Sequence, residues 1–213
     1  LELEEAIFLL VLPIQESADE SLLQIESSDG NKIMQTLDVH MAVDSIDYFV
    51  PLDLDNYRQG SGETIMIRMK GLYNNAVTWD AIELVDTFDT TNRETFRPIY
   101  HHTPLYGWMN DANGLVYKDG EYHLYFQYNP YGSVWGNMHW GHSVSKDLMH
   151  WEHKAPVIAR DSLGHIFSGS SVVDVENTAG YGAGAIIAFY TSASEKNGQI
   201  QCMAYSKDNG YTY

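Results

Sequence analysis

Residues 107–114 read GWMNDANG. They set a bare carboxylate, Asp111, among asparagine amides and close to the indole of Trp108. A carboxylate so placed can attack an electrophilic carbon or accept hydrogen bonds from a polyhydroxylated ligand. Asp111 precedes an apolar run, and the amide-rich stretch around it predicts a turn ahead of a strand, a position suited to facing a ligand. Trp108, Trp135 and Trp140 offer flat faces to the apolar side of a sugar ring. Asn110, Gln127 and Ser168 offer amide and hydroxyl partners for sugar hydroxyls. Each aromatic taken singly is more often core packing, but their convergence with Asp111 favours carboxylate and aromatic chemistry. Glycoside cleavage needs two carboxyls, one of which can be a nucleophile.

Other chemistries fit less well. GYGAGA at 180–185 has glycines at every second position and a strand after it, whereas a dinucleotide loop opens a helix. Eight of the nine histidines lie between 101 and 165, yet the pairs His139/His142 and His150/His153 are three apart and point to opposite faces of a strand. No zinc-type Cys/His spacing occurs, so no metal and no cofactor is expected, and the histidines read as packing and hydrogen-bonding residues. FSGSS at 167–171 lacks the G-x-S-x-G elbow of a serine hydrolase.

The elements that must hold these residues fall into two parts. The formal charge is −17 over 213 residues. That argues against nucleic acid as a partner and against anionic membrane surfaces, and leaves a neutral ligand unaffected. Residues 1–95 carry −14 of the charge, whereas 12 of 15 tyrosines and 4 of 5 tryptophans follow residue 96. This shift predicts an acidic accessory β-sandwich-like domain over 1–95 and a second domain over 96–213. The first reads as strands at AIFLLVLPI (6–14), LLQIES, IMQTLDVHMAV, TIMIRMKGL and AIELVDT, with a turn at NYRQGSGE and a polar linker over 89–99. The single cysteine, Cys202, excludes an intramolecular disulfide. No apolar run reaches the roughly 18 residues of a membrane span, and 6–14 is flanked by glutamates, unlike a signal peptide.

In the second part, Asp119-Gly120 between alternating apolar runs is a strong hairpin signal. Ser145-Lys146-Asp147 recurs as Ser206-Lys207-Asp208, and YFQYN around Phe126 matches AFYTS around Phe189, with offsets of 61 and 63. Four strands per repeat of that length fit a β-propeller blade. Two blades cannot close a propeller, so the chain is expected to be one piece of a longer polypeptide, whose remainder would be its partner.

WMNDANG (108–114), LYFQYNP (124–130), VWGNMHWGHSVSKDLMHW (134–151) and FSGSSVV (167–173) together resemble, in order and spacing, the successive motifs of glycoside hydrolase family 32, the β-fructosidases. The resemblance covers about half the chain. It implies an all-β fold in which an N-terminal β-sandwich precedes the first two blades, one of them partial, of a five-bladed propeller incomplete in this chain. It further implies a retaining enzyme releasing fructose units from β-fructosides such as levan, inulin or sucrose. Asp111 corresponds to the nucleophile that forms a covalent fructosyl-enzyme. Asn110, Gln127, Trp135, Phe167 and Ser168 match positions lining the fructose pocket, and Trp108 walls it. Export to the periplasm, cell surface or medium follows from such a substrate.

Two departures stand out. Ala112 occupies the place of the family's usual proline. The family's Arg-Asp-Pro motif, which holds the transition-state-stabilising Asp, and its Glu-Cys motif, which holds the acid/base, are expected beyond residue 213. Residues 1–213 alone are therefore expected to be inactive. Asp161, Asp174, Glu176 and Glu195 lack the matching context and read as turn or surface residues. The competing readings are a non-catalytic carbohydrate-binding propeller and a five-bladed glycosidase of another family.

Overall fold

The computed structural model describes residues 8–57, 64–91 and 95–213. The expected turn at 56–63, the start of the first expected strand at 6–7 and residues 92–94 of the expected linker lie wholly or partly outside that range. Among the described residues the regular structure is almost entirely antiparallel β, and the chain divides into two compact units. One comprises Leu1–Thr95 with Pro130–Asn137, the other Phe96–Asn129 with Met138–Tyr213.

The first unit is a sandwich of two three-stranded sheets. One has the order β4-β1-β6, from Tyr48–Asp53, Leu9–Ile14 and Glu83–Val85; the other is β3-β2-β5, from Ile33–Val39, Ser21–Ser27 and Ile65–Lys70. Both sheets contribute to a single core containing Leu12, Ile14, Leu23, Ile25, Leu37 and Leu52. The period of two is plain in β5, where Ile65, Ile67 and Met69 turn inward while Met66, Arg68 and Lys70 face solvent. Strand β4 lies outside the expected strands and contains Pro51. It lies at a sheet edge, where a residue without an N–H is tolerated. One short helix, α1 (Thr78–Ala81), precedes β6.

The second unit holds two sheets. The first has the order β10-β9-β8-β7, from Glu152–Ile158, His139–Ser145, Glu121–Asn129 and Trp108–Lys118; the second is β11-β12-β13, from His165–Asp174, Ala185–Ser194 and Gly198–Ser206. The β7–β8 hairpin closes at Asp119 and Gly120, with φ of 50° and 91°, as the Asp-Gly pair predicts. The repeat is structural as well. Strands β9 and β13 end at Ser145 and Ser206, and each serine hydroxyl donates to the aspartate two residues on, at 3.1 Å to Asp147 and 2.7 Å to Asp208. Phe126 and Phe189 occupy the matching strands β8 and β12. The sheets share a core in which Tyr125 and Trp140 of the first meet Ile166, Ala188 and Tyr190 of the second. These are meandering four-stranded and three-stranded sheets stacked face to face, the arrangement of propeller blades.

Candidate active site

Asp111 is not on a turn. It lies inside β7, an eleven-residue strand that the turn-forming residues Asn-Asp-Ala-Asn-Gly would not suggest. The pairing with β8 explains how those residues are accommodated. Met109 faces Tyr128 and Ala112 faces Phe126, so Asn110 and Asp111 together stand opposite the single residue Gln127. This is a β-bulge, the device that re-aims a side chain and sharpens local twist. A second bulge follows between Asn113 and Val116, where Gly114 takes φ of 50°.

Strand β11 is bulged in the same manner. Ile166 faces Ser192 and Gly169 faces Tyr190, which leaves Phe167 and Ser168 opposite Thr191. Strands β7 and β11 run against one another, and the two bulges meet. The Ser168 hydroxyl donates to Asp111 Oδ2 at 2.8 Å, while both residues remain exposed. Asp111 is thus an accessible carboxylate with one oxygen oriented.

The residues around the pair fix it in place. Trp108 Nε1 donates to Asn110 Oδ1 at 2.9 Å, tying the indole to the first bulge. Gln127 is only 2% exposed, and its Nε2 donates to the Ile166 carbonyl at 3.0 Å. Trp140 is fully buried and stacked on Tyr125, and its Nε1 donates to the Phe167 carbonyl at 3.0 Å. Two consecutive carbonyls entering the β11 bulge are therefore held by side chains from the other sheet. The expectation that Trp140 presents a face to a sugar is corrected: it is a core residue that positions Phe167. Gln127, expected at the pocket, supports the bulge from beneath. Trp108, Asn110 and Phe167 are half-buried at the site. Trp135 is half-exposed on Pro130–Asn137, the segment described with the first unit.

Gly114 is a positioning residue that sequence reading did not single out. A Cβ there would stand 2.6 Å from Ser171 Oγ, 2.8 Å from Trp140 and 2.9 Å from Tyr125. Gly169 is as tight, with the Phe189 carbonyl oxygen 1.9 Å from a Cβ position. The glycines beside each bulge thus allow the backbones to approach closely. For Gly114 a signal was available as a Gly closing the polar run Asn-Asp-Ala-Asn ahead of an apolar strand.

The histidines are engaged in packing and hydrogen bonding. His123 Nδ1 and His142 Nε2 lie 3.0 Å apart in stacked rings, and Ser143 Oγ bridges His102 and His153 at 2.8 and 3.2 Å. His165 Nδ1 accepts from the Met138 N–H at 3.1 Å. Asp174 caps its own turn, accepting from Thr178 and Ala179 at 2.8 Å, and Asp161 accepts from the Leu163 N–H at 2.9 Å. Both are the turn residues expected.

The site is thus an oriented, exposed carboxylate on paired bulges where the two sheets meet. Residues 101–213 match the glycosyl hydrolases family 32 N-terminal domain, and the chain belongs to that family. Residues 1–100 match a domain of unknown function (DUF4980). The levanase of Bacillus subtilis (strain 168) is 54% identical over 123 residues, covering 56% of this chain and 18% of the levanase. The crystal structure of exo-inulinase from Aspergillus awamori aligns with TM-score 0.53 and 41% identity, over 59% of this chain and 28% of that one. A family 32 structure from Bifidobacterium adolescentis aligns over 100% of this chain and 38% of its own, with TM-score 0.51 and 22% identity, a likeness of fold. The chain spans about a fifth to a quarter of the length of the curated relatives it matches.

Proposed function

We propose that this chain is the nucleophile-bearing portion of a retaining β-fructosidase acting on levan, inulin or sucrose-like substrates. The observation that carries the reading is the Asp111 carboxylate, exposed on a bulge and oriented by the Ser168 hydroxyl. The names of the relatives, levanase and extracellular exo-inulinase, support fructans as the substrate class and export as the location.

In this reading Asp111 Oδ1 attacks the anomeric carbon of the fructosyl unit. The new C–O bond forms as the glycosidic C–O bond breaks, and the leaving oxygen takes a proton from a carboxylic acid. Water then attacks the same carbon and gives its proton to that acid's carboxylate, releasing fructose and freeing Asp111. Ser168 keeps one oxygen of Asp111 bonded so that the other presents its lone pair. Trp108, fixed through Asn110, walls the sugar. The acid/base belongs to the Glu-Cys motif that the family resemblance implies, outside residues 1–213, so these residues alone do not turn over substrate.

The test is fructose release from levan, inulin and sucrose by a protein containing this chain and its acid/base. Asp111→Ala is expected to lower kcat on the order of 10⁴-fold or more, and wild-type turnover by that variant would sink the assignment. Binding of fructans with no fructose release by the unaltered protein would favour the non-catalytic reading instead.

A further inference from the structure

The accessory sandwich presents a pair of aromatic side chains that its own fold does not use. Tyr73 is 67% exposed and Trp79 45% exposed, on a segment running from Gly71 into α1. Exposed aromatics are common on mobile loops, but this segment is pinned. Thr78 is fully buried and its hydroxyl donates to the Ala42 carbonyl at 2.7 Å, while the Val77 N–H donates to the Val43 carbonyl at 3.0 Å. Ala76 is buried beside them. The turn is therefore anchored at its centre, and the two exposed aromatics lie on either side of the anchor in sequence.

The Trp79 indole is also tied to the backbone of the turn. The Tyr73 carbonyl accepts from the Ala76 N–H at 3.1 Å and from Trp79 Nε1 at 2.8 Å. The indole N–H is satisfied by the backbone of the turn, so hydrogen bonding gives the ring no reason to sit in water. Its remaining surface is apolar and held in one orientation, at a cost in buried area that a bound partner would recover. A pre-fixed aromatic loses little further freedom on binding. Asn74 and Asn75 are exposed between the two rings in sequence and add amide donors and acceptors. The surrounding domain carries −14 of the charge, which repels polyanions and leaves neutral polymers unaffected.

We propose that Tyr73 and Trp79 form a docking platform for a neutral polysaccharide, and specifically for the fructan that the Asp111 site is inferred to cleave. Stacking of sugar rings on the two aromatics would keep the polymer attached between turnovers. The choice of fructan rests on the proposed function; the platform rests on Tyr73 and Trp79 alone.

Affinity electrophoresis of a protein containing this chain through gels containing levan, inulin, xylan or a mixed-linkage β-glucan tests this. The expected result is retardation by levan or inulin, weakened about tenfold in affinity by Trp79→Ala and by Tyr73→Ala. Circular dichroism checks the fold of each variant. Tyr73 is the more exposed of the two, so Tyr73→Ala remains informative if Trp79→Ala unfolds. No retardation by any polymer overturns the platform, and so does retardation lost in Trp108→Ala but kept in both platform variants. Tyr73- and Trp79-dependent binding of xylan or β-glucan without fructan overturns the ligand assignment. None of these outcomes bears on fructose release, which tests the Asp111 reading separately.

Discussion

The Ser168 hydroxyl donates to Asp111 Oδ2 across 2.8 Å and joins residues 57 positions apart, each lifted out of register by its own bulge. The bond crosses from one sheet to the other. Replacing Ser168 by Ala removes a hydrogen bond to a charged acceptor at an exposed position, where water can replace it. Under a bound sugar that water is excluded and such a bond is worth about 1.5–3 kcal/mol, so kcat/KM for a fructan is expected to fall roughly 10–100-fold. Thermal stability should stay within about 0.5 kcal/mol of the parent. An unchanged kcat/KM would remove Ser168 from the site.

Gln127 acts beneath the β11 bulge. Gln127→Met keeps the volume while depriving the buried Ile166 carbonyl of its donor, at a cost of about 1–3 kcal/mol. Urea unfolding should report that loss, and fructose release should fall with kcat affected more than KM, because the bulge that carries Ser168 loosens. A variant stable as the parent would show that another group satisfies Ile166.

Gly114→Ala meets both a left-handed backbone and a filled space, with Trp140, Tyr125 and Ser171 all within 2.9 Å of the new methyl group. Left-handed strain of about 1–2 kcal/mol and overpacking of about 1–3 kcal/mol act together. Denaturant unfolding is expected to show a loss of about 3 kcal/mol. Gly120→Ala, with φ of 91° and open space around it, should show the strain without the clash and thus a smaller loss.

The buried histidines make stability depend on pH. Burial pushes His142 down to about 3, with His123 and Lys154 adding to the effect, and pushes His102 down to about 4, with His153 and Arg97 adding. In the unfolded chain both titrate near 6.5. Between pH 6.5 and about 4 the unfolded state therefore binds protons that the folded state refuses, and stability falls as the pH drops through that window. Melting temperatures measured from pH 7 to pH 4 should decline, and more gently in His142→Gln. Parallel curves for parent and variant would show that His142 does not contribute.

The residue types of the site were legible, but the backbone that presents them was not. Asn-Asp-Ala-Asn-Gly reads as a turn because each residue favours one locally. Pairing with β8 overrides that preference, and the misfit is absorbed as two bulges rather than a chain reversal. Gln127 and Trp140 illustrate the same gap. An amide and an indole look alike in sequence whether they face a sugar or a buried carbonyl, and only the partner strand decides which. The Ser-Lys-Asp repeat was legible for the opposite reason, since its hydrogen bonds lie within three residues of one another. Strand β4 carries Pro51, a residue without an N–H that a strand tolerates at an edge, and sequence does not mark which strand will be the edge.

The two facing bulges also set an order of events during folding. The β7–β8 hairpin closes through a two-residue turn and requires only local chain search, a matter of microseconds. The contact from Asp111 to Ser168 closes a loop of 57 residues and waits for the second sheet to dock. A nascent chain that has finished its first blade thus carries the Asp111 carboxylate without its Ser168 partner, and that bond arrives only with assembly.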